Sequence, residues 1–494
     1  MSLPFRPHPH MYEVNTWAWL DELSAKLGRN ITLADVPDNE WDSFASLGFD
    51  IVWLMGVWQR SAESRAILMQ DPGNRAACDQ ALPGWTPGDA IGSPYAISGY
   101  TVDPRIGAWD SLDFAREKLR ARGVALLLDF VGNHTSTDHP WTRDNPEFYV
   151  QGTAEDFQRD PSTYFRVVTG KGERFIARGR DPYFPPWKDV AQINHFHPGA
   201  RAAQFRIIRS IAAHCDGLRC DMAMLLLSDI FRGIWSANLG GFTPPEKEFW
   251  LEAHDAAPQL ALVAEAYWGT EQRLLDLGFS FSYDKELYDC VRDARALDAR
   301  ARLYAGNDYQ SHMTRYLENH DEPRRAVVFP NSRLFAAGTI MATLPGMRFY
   351  HQGELEGRGI RLPITLRAAA PEPPDPFASA FFQKILRITK EECFHTGAWS
   401  LLEVVSEGDD SAGNLIVYDW RCRNAWKVVA VNLAGSTAQG RVKLGDRVSP
   451  DRQYSFNDEL NEVVYPRGGR ELFDVGLFVR LDAGQAHLYD VTLD

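Results

Sequence analysis

The stretch DGLRCDMAMLLL, residues 216–227, places three charged residues inside a strongly apolar run. Such a run is typical of a buried strand, where charges are costly unless they are paired or take part in chemistry. Because successive side chains of a strand alternate between its two faces, Arg219 and Asp221 lie on the same face. We therefore expect these two residues to form an ion pair that keeps Asp221 ionised and fixed in place.

Seven other apolar runs resemble this one, and a helix-like amphipathic segment follows each run. The eight strand-like runs are 11–19, 49–58, 124–134, 216–224, 260–268, 279–284, 313–322 and 346–354. Strands that alternate with helices indicate βαβ units and a parallel sheet. Eight units of roughly 31 residues predict an α/β fold, a (β/α)8 TIM barrel.

Two segments do not fit the repeating unit. The interval between Asp129 and Asp221 is too long for one unit, and its surplus at 135–200 is rich in Pro, Gly, Trp and Tyr. We interpret 135–200 as a subdomain inserted after strand 3. After the Pro-rich AAAPEPPDP, short alternating strands predict a C-terminal antiparallel β-domain, a β-sandwich over 395–494. The barrel would then comprise 1–134 and 201–394.

Composition narrows the class of partner. The 494 residues include 52 Lys or Arg and 66 Asp or Glu, a formal net charge of −14. This balance excludes nonspecific binding to nucleic acid or an anionic membrane and favours a neutral or cationic small molecule, or a neutral polymer, as the binding partner. The six cysteines form no CxxC pair, so we expect free thiols. No signal peptide or membrane span is recognisable, which predicts a cytoplasmic location; the oligomeric state is left open.

Polar residues cluster at the carboxyl ends of four predicted strands, which meet at one mouth of a barrel. They are Asp129, Asn133 and His134 on strand 3, Arg219 and Asp221 on strand 4, Glu265 on strand 5, and Asn319, His320 and Asp321 on strand 7. Glu265 has apolar neighbours on both sides, so desolvation should raise its pKa, as suits a general acid. An ionised Asp221 beside a protonated Glu265 is the pair that glycoside hydrolysis uses.

Four motifs carry a resemblance to a known family. They are LLLDFVGNH (126–134), DGLRCDMA (216–223), LVAEAYW (262–268) and LENHD (317–321). In this order, on a barrel with an insertion after strand 3 and a C-terminal β-domain, the chain resembles the α-amylase family, glycoside hydrolase family 13. The resemblance extends over essentially the whole chain. It implies a retaining glycosidase or transglycosylase that requires no cofactor for its chemistry.

The resemblance also implies roles for individual residues. Asp221 would be the nucleophile, Glu265 the acid/base, and Asp321 the carboxylate that stabilises the transition state. The carboxyl groups of Asp221 and Glu265 should lie about 5–5.5 Å apart. The implied substrate-binding residues are Tyr95, which stacks on the sugar, His134 and His320, which bind its hydroxyls, and Arg219, which holds Asp221.

Simpler interpretations stay open for several of these residues. The pair of Arg219 and Asp221 can be purely structural, both histidines can be caps, and Tyr95 can be a packing residue. Asn133 matches a calcium ligand of many family members, but a role as a loop hydrogen bonder is favoured, so structural calcium is left as an alternative. His351 is left undecided, and the pair 324–325 is interpreted as a helix start or a surface feature.

The chain departs from the family pattern after the nucleophile. Where starch-degrading members often carry Lys-His, this chain has Met224 and Leu225, which indicates an apolar acceptor side and short or unusual substrates. The family's Asp-Tyr after Tyr95 reads Gly99-Tyr100. We predict a retaining α-glycosidase of malto-oligosaccharides or related short α-glucans. The alternatives are a trehalose- or sucrose-type transglycosylase or isomerase and, more remotely, a non-catalytic binding subunit.

Overall fold

Eight parallel strands close into a barrel in the computed structural model, which describes residues 3–423 and 425–493. Each strand pairs with its neighbours in chain order, and β8 pairs with β1 to close the barrel. The strands are β1 His10–Asn15, β2 Ile51–Met55, β3 Ala125–Val131, β4 Gly217–Asp221, β5 Ala261–Ala264, β6 Phe281–Tyr283, β7 Met313–Arg315 and β8 Met347–His351. The predicted (β/α)8 fold class is confirmed, and each strand is shorter than the apolar run that predicted it.

A helix precedes each strand after the first, and another follows β8. These helices are Asp38–Leu47, Trp109–Arg120, Pro198–Ile211, Phe249–Ala256, Glu271–Asp276, Lys285–Arg292 with Ala296–Leu303 and Asn307–Ser311, Asn331–Thr343 and Pro376–Thr389. A further helix, Thr16–Leu27, follows β1 directly. Helix Pro198–Ile211, which leads into β4, starts with proline at its first turn, and His197 Nδ1 accepts the Gly199 and Ala200 N–H groups. Such capping satisfies N–H groups that have no partner within the helix.

The insertion after β3 forms a small sheet with a separate strand pair. The sheet contains Gln151–Gly152, Gly172–Ala177 and Tyr164–Thr169, and the pair joins His134–Ser136 to Val190–Gln192. Two short helices, Trp141–Asp144 and Ala154–Arg159, complete this region. Its loops reach the carboxyl ends of the barrel strands through the antiparallel pairing of His134 with Gln192.

A second extension, which the sequence analysis did not anticipate, lies between β2 and β3. It consists of the strands Trp58–Arg60 and Ile97–Val102, which pair with each other, and the helices Ala62–Gln70 and Pro72–Ala81. The Asn74 side chain of the second helix accepts a hydrogen bond of 2.7 Å from the Thr365 hydroxyl in the loop after β8. The extension is thereby joined to the loop after β8, a strand that, like β2, pairs with β1.

The C-terminal region is antiparallel, as predicted, and consists of two sheets. One sheet contains Ala398–Leu401, Leu415–Cys422, Ala425–Asn432, Ala486–Leu493, Gln453–Asp458 and Val463–Gly468, and the other contains Val404–Val405, Ala438–Val442 and Leu477–Leu481. Residues 1, 2, 424 and 494 of the predicted domain ranges lie outside the described residues.

All six cysteines are free, as expected. Among the residues that the structure describes, no helix is long and apolar enough to cross a bilayer.

Candidate active site

Arg219 links the two carboxylates that the sequence singled out. It is fully buried on β4, and its Nη1 donates a hydrogen bond of 2.7 Å to Asp221 Oδ1. Its Nη2 lies 2.9 Å from Glu265 Oε2 at the end of β5. The predicted pairing of Arg219 with Asp221 is confirmed, and the same guanidinium also reaches Glu265. Both carboxylates are therefore held by one planar cation, which cannot lose its charge in a protein.

The surroundings of Asp221 and Glu265 raise the pKa values of both carboxyl groups. Burial raises the pKa of Asp221, and the Arg219 guanidinium opposes that rise. Burial also raises the pKa of Glu265, to about 6, with Arg219 again opposing and Asp221 adding to the rise. Since an acid with a pKa near the working pH is the most effective proton donor, Glu265 is suited to acid/base chemistry.

Two groups that the sequence analysis missed orient Glu265. The Tyr267 hydroxyl donates to Glu265 Oε1 at 2.8 Å, and the Met222 backbone N–H donates to Oε2 at 2.6 Å. Met222 directly follows the nucleophile candidate and has a φ of 43°, which turns its N–H toward Glu265. A non-glycine residue in this left-handed region is strained, and such strain concentrates at functional sites.

Asp321 belongs to a chain of alternating charges. Its Oδ2 lies 3.0 Å from His320 Nε2, and His320 Nδ1 lies 2.5 Å from Glu13 Oε1 on β1. Burial alone would lower the pKa of His320, but the two flanking carboxylates raise it well above its usual value. Burial would likewise raise the pKa of Asp321, but the His320 cation holds it below its usual range. Asp321 thus stays ionised and points into an open cavity.

The turn that presents Asp321 is built by its own sequence. The Asn319 side-chain oxygen accepts the backbone N–H of Asp321 at 2.9 Å and that of Glu322 at 2.8 Å. Asparagine favours this kind of turn because its short side chain substitutes for a backbone carbonyl. The motif LENHD therefore leaves the barrel strand and places its last two residues at the mouth.

Five of the seven predicted catalytic and binding residues line one cavity of about 380 Å³. They are Tyr95, His134, Asp221, Glu265 and Asp321. Of the other two, Arg219 is buried beneath them, and His320 lines an adjoining cavity of about 450 Å³ that shares Asp321. Helix Pro72–Ala81, part of the extension after β2, contributes Asn74 to both cavities. We refer to the cavity of about 380 Å³ as the catalytic cavity.

Tyr95 and His134 form the walls of the catalytic cavity. The Tyr95 hydroxyl lies 2.8 Å from His320 Nε2, and its ring lies 5.2 Å from the Arg219 guanidinium. The His134 ring packs at 5.3 Å against Trp187, another residue that the sequence analysis missed. Burial lowers the pKa of His134 to about 4, so its imidazole is neutral at physiological pH. A neutral imidazole offers one donor and one acceptor, which suits sugar hydroxyls.

Three expectations need correction or completion. Met224 and Leu225 do not line the cavity. Both belong to the short helix Ala223–Leu226, and their side chains are buried in the protein core. Met222 lines the cavity instead. Arg324 and Arg325 do mark a helix start, but both are buried, and Arg324 Nη1 lies 3.0 Å from Glu318 Oε1. His351 is bound to the same Glu318 oxygen at 3.1 Å, so it belongs to this buried network.

The surroundings of Asn133 do not fit a calcium ion. The two N–H groups of the Gln192 side-chain amide are shared among three acceptor oxygens: the Asn133 carbonyl at 3.0 Å, Asn133 Oδ1 at 3.0 Å and the Ile193 carbonyl at 3.1 Å from the nitrogen. Calcium requires six to eight oxygen ligands, usually with carboxylates among them. Here a neutral amide donor already holds the oxygens. In the described part of the chain no group of three or more His, Cys, Asp or Glu side chains could hold a metal ion.

We propose that the Gln192 amide takes the place that a cation would need, and we expect activity without calcium. EDTA should change neither kcat nor the melting temperature of the wild type. Gln192→Asp replaces the amide donor by two carboxylate oxygens, so added Ca²⁺ should raise the melting temperature of this variant only. Thermal melts and rates with EDTA and with Ca²⁺ test this. Loss of wild-type activity in EDTA, restored by Ca²⁺, would overturn the proposal.

The site residues that the sequence analysis did not identify differ in how clearly the sequence indicates them. Tyr267 is two positions after Glu265 in the motif LVAEAYW, so this short spacing in the sequence already indicates that the two side chains can lie close together. Glu13 lies on β1, 307 positions before His320, and nothing local relates the two. Gln192 and Trp187 come from the insertion, whose path over the barrel mouth has no periodic signal.

Sequence comparisons find relatives of this chain among known proteins. The alpha amylase catalytic domain family matches residues 40–361. Alpha-amylase 3 of Dictyoglomus thermophilum is 24% identical over 280 residues, 52% of this chain and 52% of that protein. Trehalose-6-phosphate hydrolase of Escherichia coli is 30% identical over 151 residues, 28% of this chain and 27% of that protein. The chain thus spans about half the length, or less, of these curated relatives.

A solved structure shows the same fold over nearly the entire chain. The noncanonic maltogenic alpha-amylase AmyB from Thermotoga neapolitana superposes with a TM-score of 0.69 and 16% identity, covering 99% of both chains. At this identity the likeness concerns the fold alone. Together with the match over residues 40–361, the barrel and its converging carboxylates show that the chain belongs to the α-amylase family of glycoside hydrolases.

Proposed function

We propose that this protein hydrolyses α-glucosidic bonds of malto-oligosaccharides or related short α-glucans with retention of configuration. The observation that carries the proposal is the Arg219 bridge, which holds a nucleophile candidate and an acid candidate on neighbouring strands. Because one guanidinium group contacts both Asp221 and Glu265, their carboxyl groups lie close together. This is consistent with the spacing of about 5–5.5 Å between the two carboxyl groups of retaining enzymes. Inverting enzymes need a wider gap that admits a water molecule.

In the first step Asp221 attacks the anomeric carbon while Glu265 protonates the glycosidic oxygen. The C–O bond to the leaving sugar breaks, its electron pair takes the proton of Glu265, and a covalent β-glycosyl ester forms on Asp221. Positive charge develops on the sugar ring in between, and the ionised Asp321 lies on the cavity wall where it can stabilise that charge. The Met222 N–H and the Tyr267 hydroxyl then stabilise the carboxylate that Glu265 has become.

In the second step the ionised Glu265 takes a proton from water, which attacks the anomeric carbon and breaks the ester to Asp221. The sugar returns to the α configuration, and both carboxylates return to their starting states. If a sugar hydroxyl attacks in place of water, the same residues perform transfer. The proposed substrate is a neutral oligosaccharide, in agreement with the net charge of −14, and the proposed location is the cytoplasm.

Proton NMR of the reaction with maltoheptaose tests the proposal. We expect the first anomeric signal of the new reducing end to be that of the α-anomer, with the β-anomer appearing only through mutarotation. Reducing ends should increase in parallel. An initial β-anomer would contradict retention. Constant reducing ends with new α-linked products would favour the transferase or isomerase, and sucrose and trehalose would then be tested as donors.

A further inference from the structure

Glu13 is a fully buried carboxylate that takes no direct part in the proposed reaction. It lies on β1, where its backbone pairs with Trp53 on β2 and with His351 on β8. Its Oε1 lies 2.5 Å from His320 Nδ1. Its Oε2 makes no hydrogen bond to a described residue and lies 4.0 Å from His351 Nε2. Because a buried carboxylate is costly unless a cation compensates it, its presence on β1 indicates a function.

The geometry around His320 assigns a proton to each of its ring nitrogens. Nδ1 faces Glu13, and Nε2 lies 3.0 Å from Asp321 Oδ2. A nitrogen without a proton would point its lone pair at a carboxylate oxygen, which repels it. His320 is therefore an imidazolium ion when both carboxylates are ionised. Its ring packs between Tyr95 at 5.3 Å and Trp53 at 5.6 Å, and this packing keeps the ring from turning away from either carboxylate.

Positive groups around Glu13 keep its carboxyl group ionised. Burial would raise the pKa of Glu13, but His320, His351 and Arg219 hold it below its usual value. His351 in turn lies 3.1 Å from Glu318 Oε1, which anchors its ring on the far side of Glu13. The negative charge of Glu13 therefore stays in the protein core, directly beneath His320.

Several other ionisable groups face His320 or the carboxylates beside it. They are Tyr95 on the extension after β2, Asp129 on β3, Arg219 and Asp221 on β4, His351 on β8, and Arg324 and Arg361 in the loops after β7 and β8. Among the described residues, Glu13 and Asp321 are the anions that lie within hydrogen-bond distance of the His320 ring. The charge of His320 therefore depends first on these two carboxylates.

We propose that Glu13 is a positioning residue that acts through His320, keeping it doubly protonated so that Nε2 donates to Asp321 and holds this carboxylate ionised at the cavity wall. The inference rests on the proposed function, in which Asp321 stabilises the positive charge that develops on the sugar ring. Glu13 does not line the catalytic cavity, so it acts without touching the substrate.

Glu13→Gln removes the charge of this side chain and keeps its shape. The glutamine oxygen can still accept a hydrogen bond from Nδ1, but one of the two anions that raise the pKa of His320 is lost. We expect this pKa to fall by about 1–3 units. Once His320 loses a proton, the lone pair of Nε2 faces Asp321 and repels it. The rate of glycosyl transfer to Asp221 should then fall about 100-fold, as for other lost donors at a developing charge.

The pH dependence on α-glucosyl fluoride isolates this effect, because fluoride leaves without a proton from Glu265. In the wild type kcat/KM should stay constant at alkaline pH, since His320 keeps its charge there. In Glu13→Gln kcat/KM should decrease as the pH rises through the lowered pKa of His320. Glu13→Asp, which keeps the charge, should restore most of the alkaline activity.

NMR of the ring nitrogens measures the charge of His320 without turnover. The chain has 13 histidines, and comparison with His320→Gln assigns the signals of this one. In the wild type we expect imidazolium signals far above the ordinary histidine pKa of about 6.5. In Glu13→Gln the ring should lose its proton at a lower pH, the same pH at which the activity on α-glucosyl fluoride decreases.

A double variant separates positioning from a merely structural role. If Glu13 acts through His320, Glu13→Gln combined with His320→Gln should be no slower than His320→Gln alone. Glu354→Gln is the matched control, since Glu354 is also buried and accepts the His351 backbone N–H at 3.0 Å. It should leave the His320 titration and the pH profile as in the wild type.

An unchanged His320 titration in an active Glu13→Gln enzyme would overturn the inference and leave the proposed function intact. Losses that multiply in the double variant would overturn it as well, because they would show that Glu13 acts independently of His320. A wild type that cleaves neither maltose nor α-glucosyl fluoride would overturn the proposed function, and the role of Glu13 with it.

Discussion

Asp221→Asn is expected to lower kcat by about 10⁵-fold, because an amide cannot form the glycosyl ester. The fold should be retained. Burial raises the pKa of Asp221, which means that its ionised form is destabilised in the native state, and a neutral isostere removes that cost. Arg219 keeps its contact with Glu265. The melting temperature should therefore stay the same or rise, while turnover is lost; calorimetry and initial rates measure both.

Asp216→Asn, in the same stretch, is the control. Asp216 lies just before β4 at the end remote from the cavity, where Arg116 Nη2 donates to it at 2.7 Å and Arg120 Nη2 at 3.2 Å. Its replacement should lower the melting temperature and leave kcat unchanged. The two aspartates thus have opposite expected effects on stability and activity. Substantial turnover by Asp221→Asn would show that another group is the nucleophile.

Glu265→Gln is expected to lower kcat/KM on maltose about 10³-fold, the usual contribution of a positioned acid. On α-glucosyl fluoride the first step should remain fast, since fluoride leaves without a proton. The second step should be slow, because glutamine cannot activate water. We therefore expect a burst of about one fluoride per active site, with the protein mass increased by one glucosyl group. Stopped-flow fluoride release and intact mass spectrometry test this.

In the wild type, the pH dependence of kcat/KM should differ between maltose and α-glucosyl fluoride. Glu265 must be protonated to act, and its pKa is raised to about 6, so kcat/KM on maltose should fall as the pH increases through about 6. With α-glucosyl fluoride that decrease should be absent. Glu271→Gln, a buried glutamate at the start of the next helix, makes the same charge change outside the cavity and should leave both profiles unaltered. A Glu265→Gln enzyme with full maltose activity would exclude Glu265 as the acid.

Much of the barrel was predictable because burial on both faces produces apolar runs that are visible in a single sequence. The extension after β2 was missed for a specific reason. Its helices Ala62–Gln70 and Pro72–Ala81 lie in the interval between β2 and β3, and β2 ends in no polar motif that would mark the length of this interval. The insertion after β3 was recognised because Asp129 and Asp221 flank it.

The sequence by itself determined which barrel strand leads to each of the three carboxylates and which face Arg219 and Asp221 share, since both follow from local periodicity. It also indicated that Glu265 would be desolvated, because its flanking residues are apolar.

Only the tertiary structure decided which charges meet. Closure of the barrel places Glu13 beside His320, although they are 307 positions apart. It likewise extends the Arg219 contact from Asp221 to Glu265. The physical reason is that burial and Coulomb terms depend on distance in space, and a chain fixes that distance only when its long-range pairings are complete.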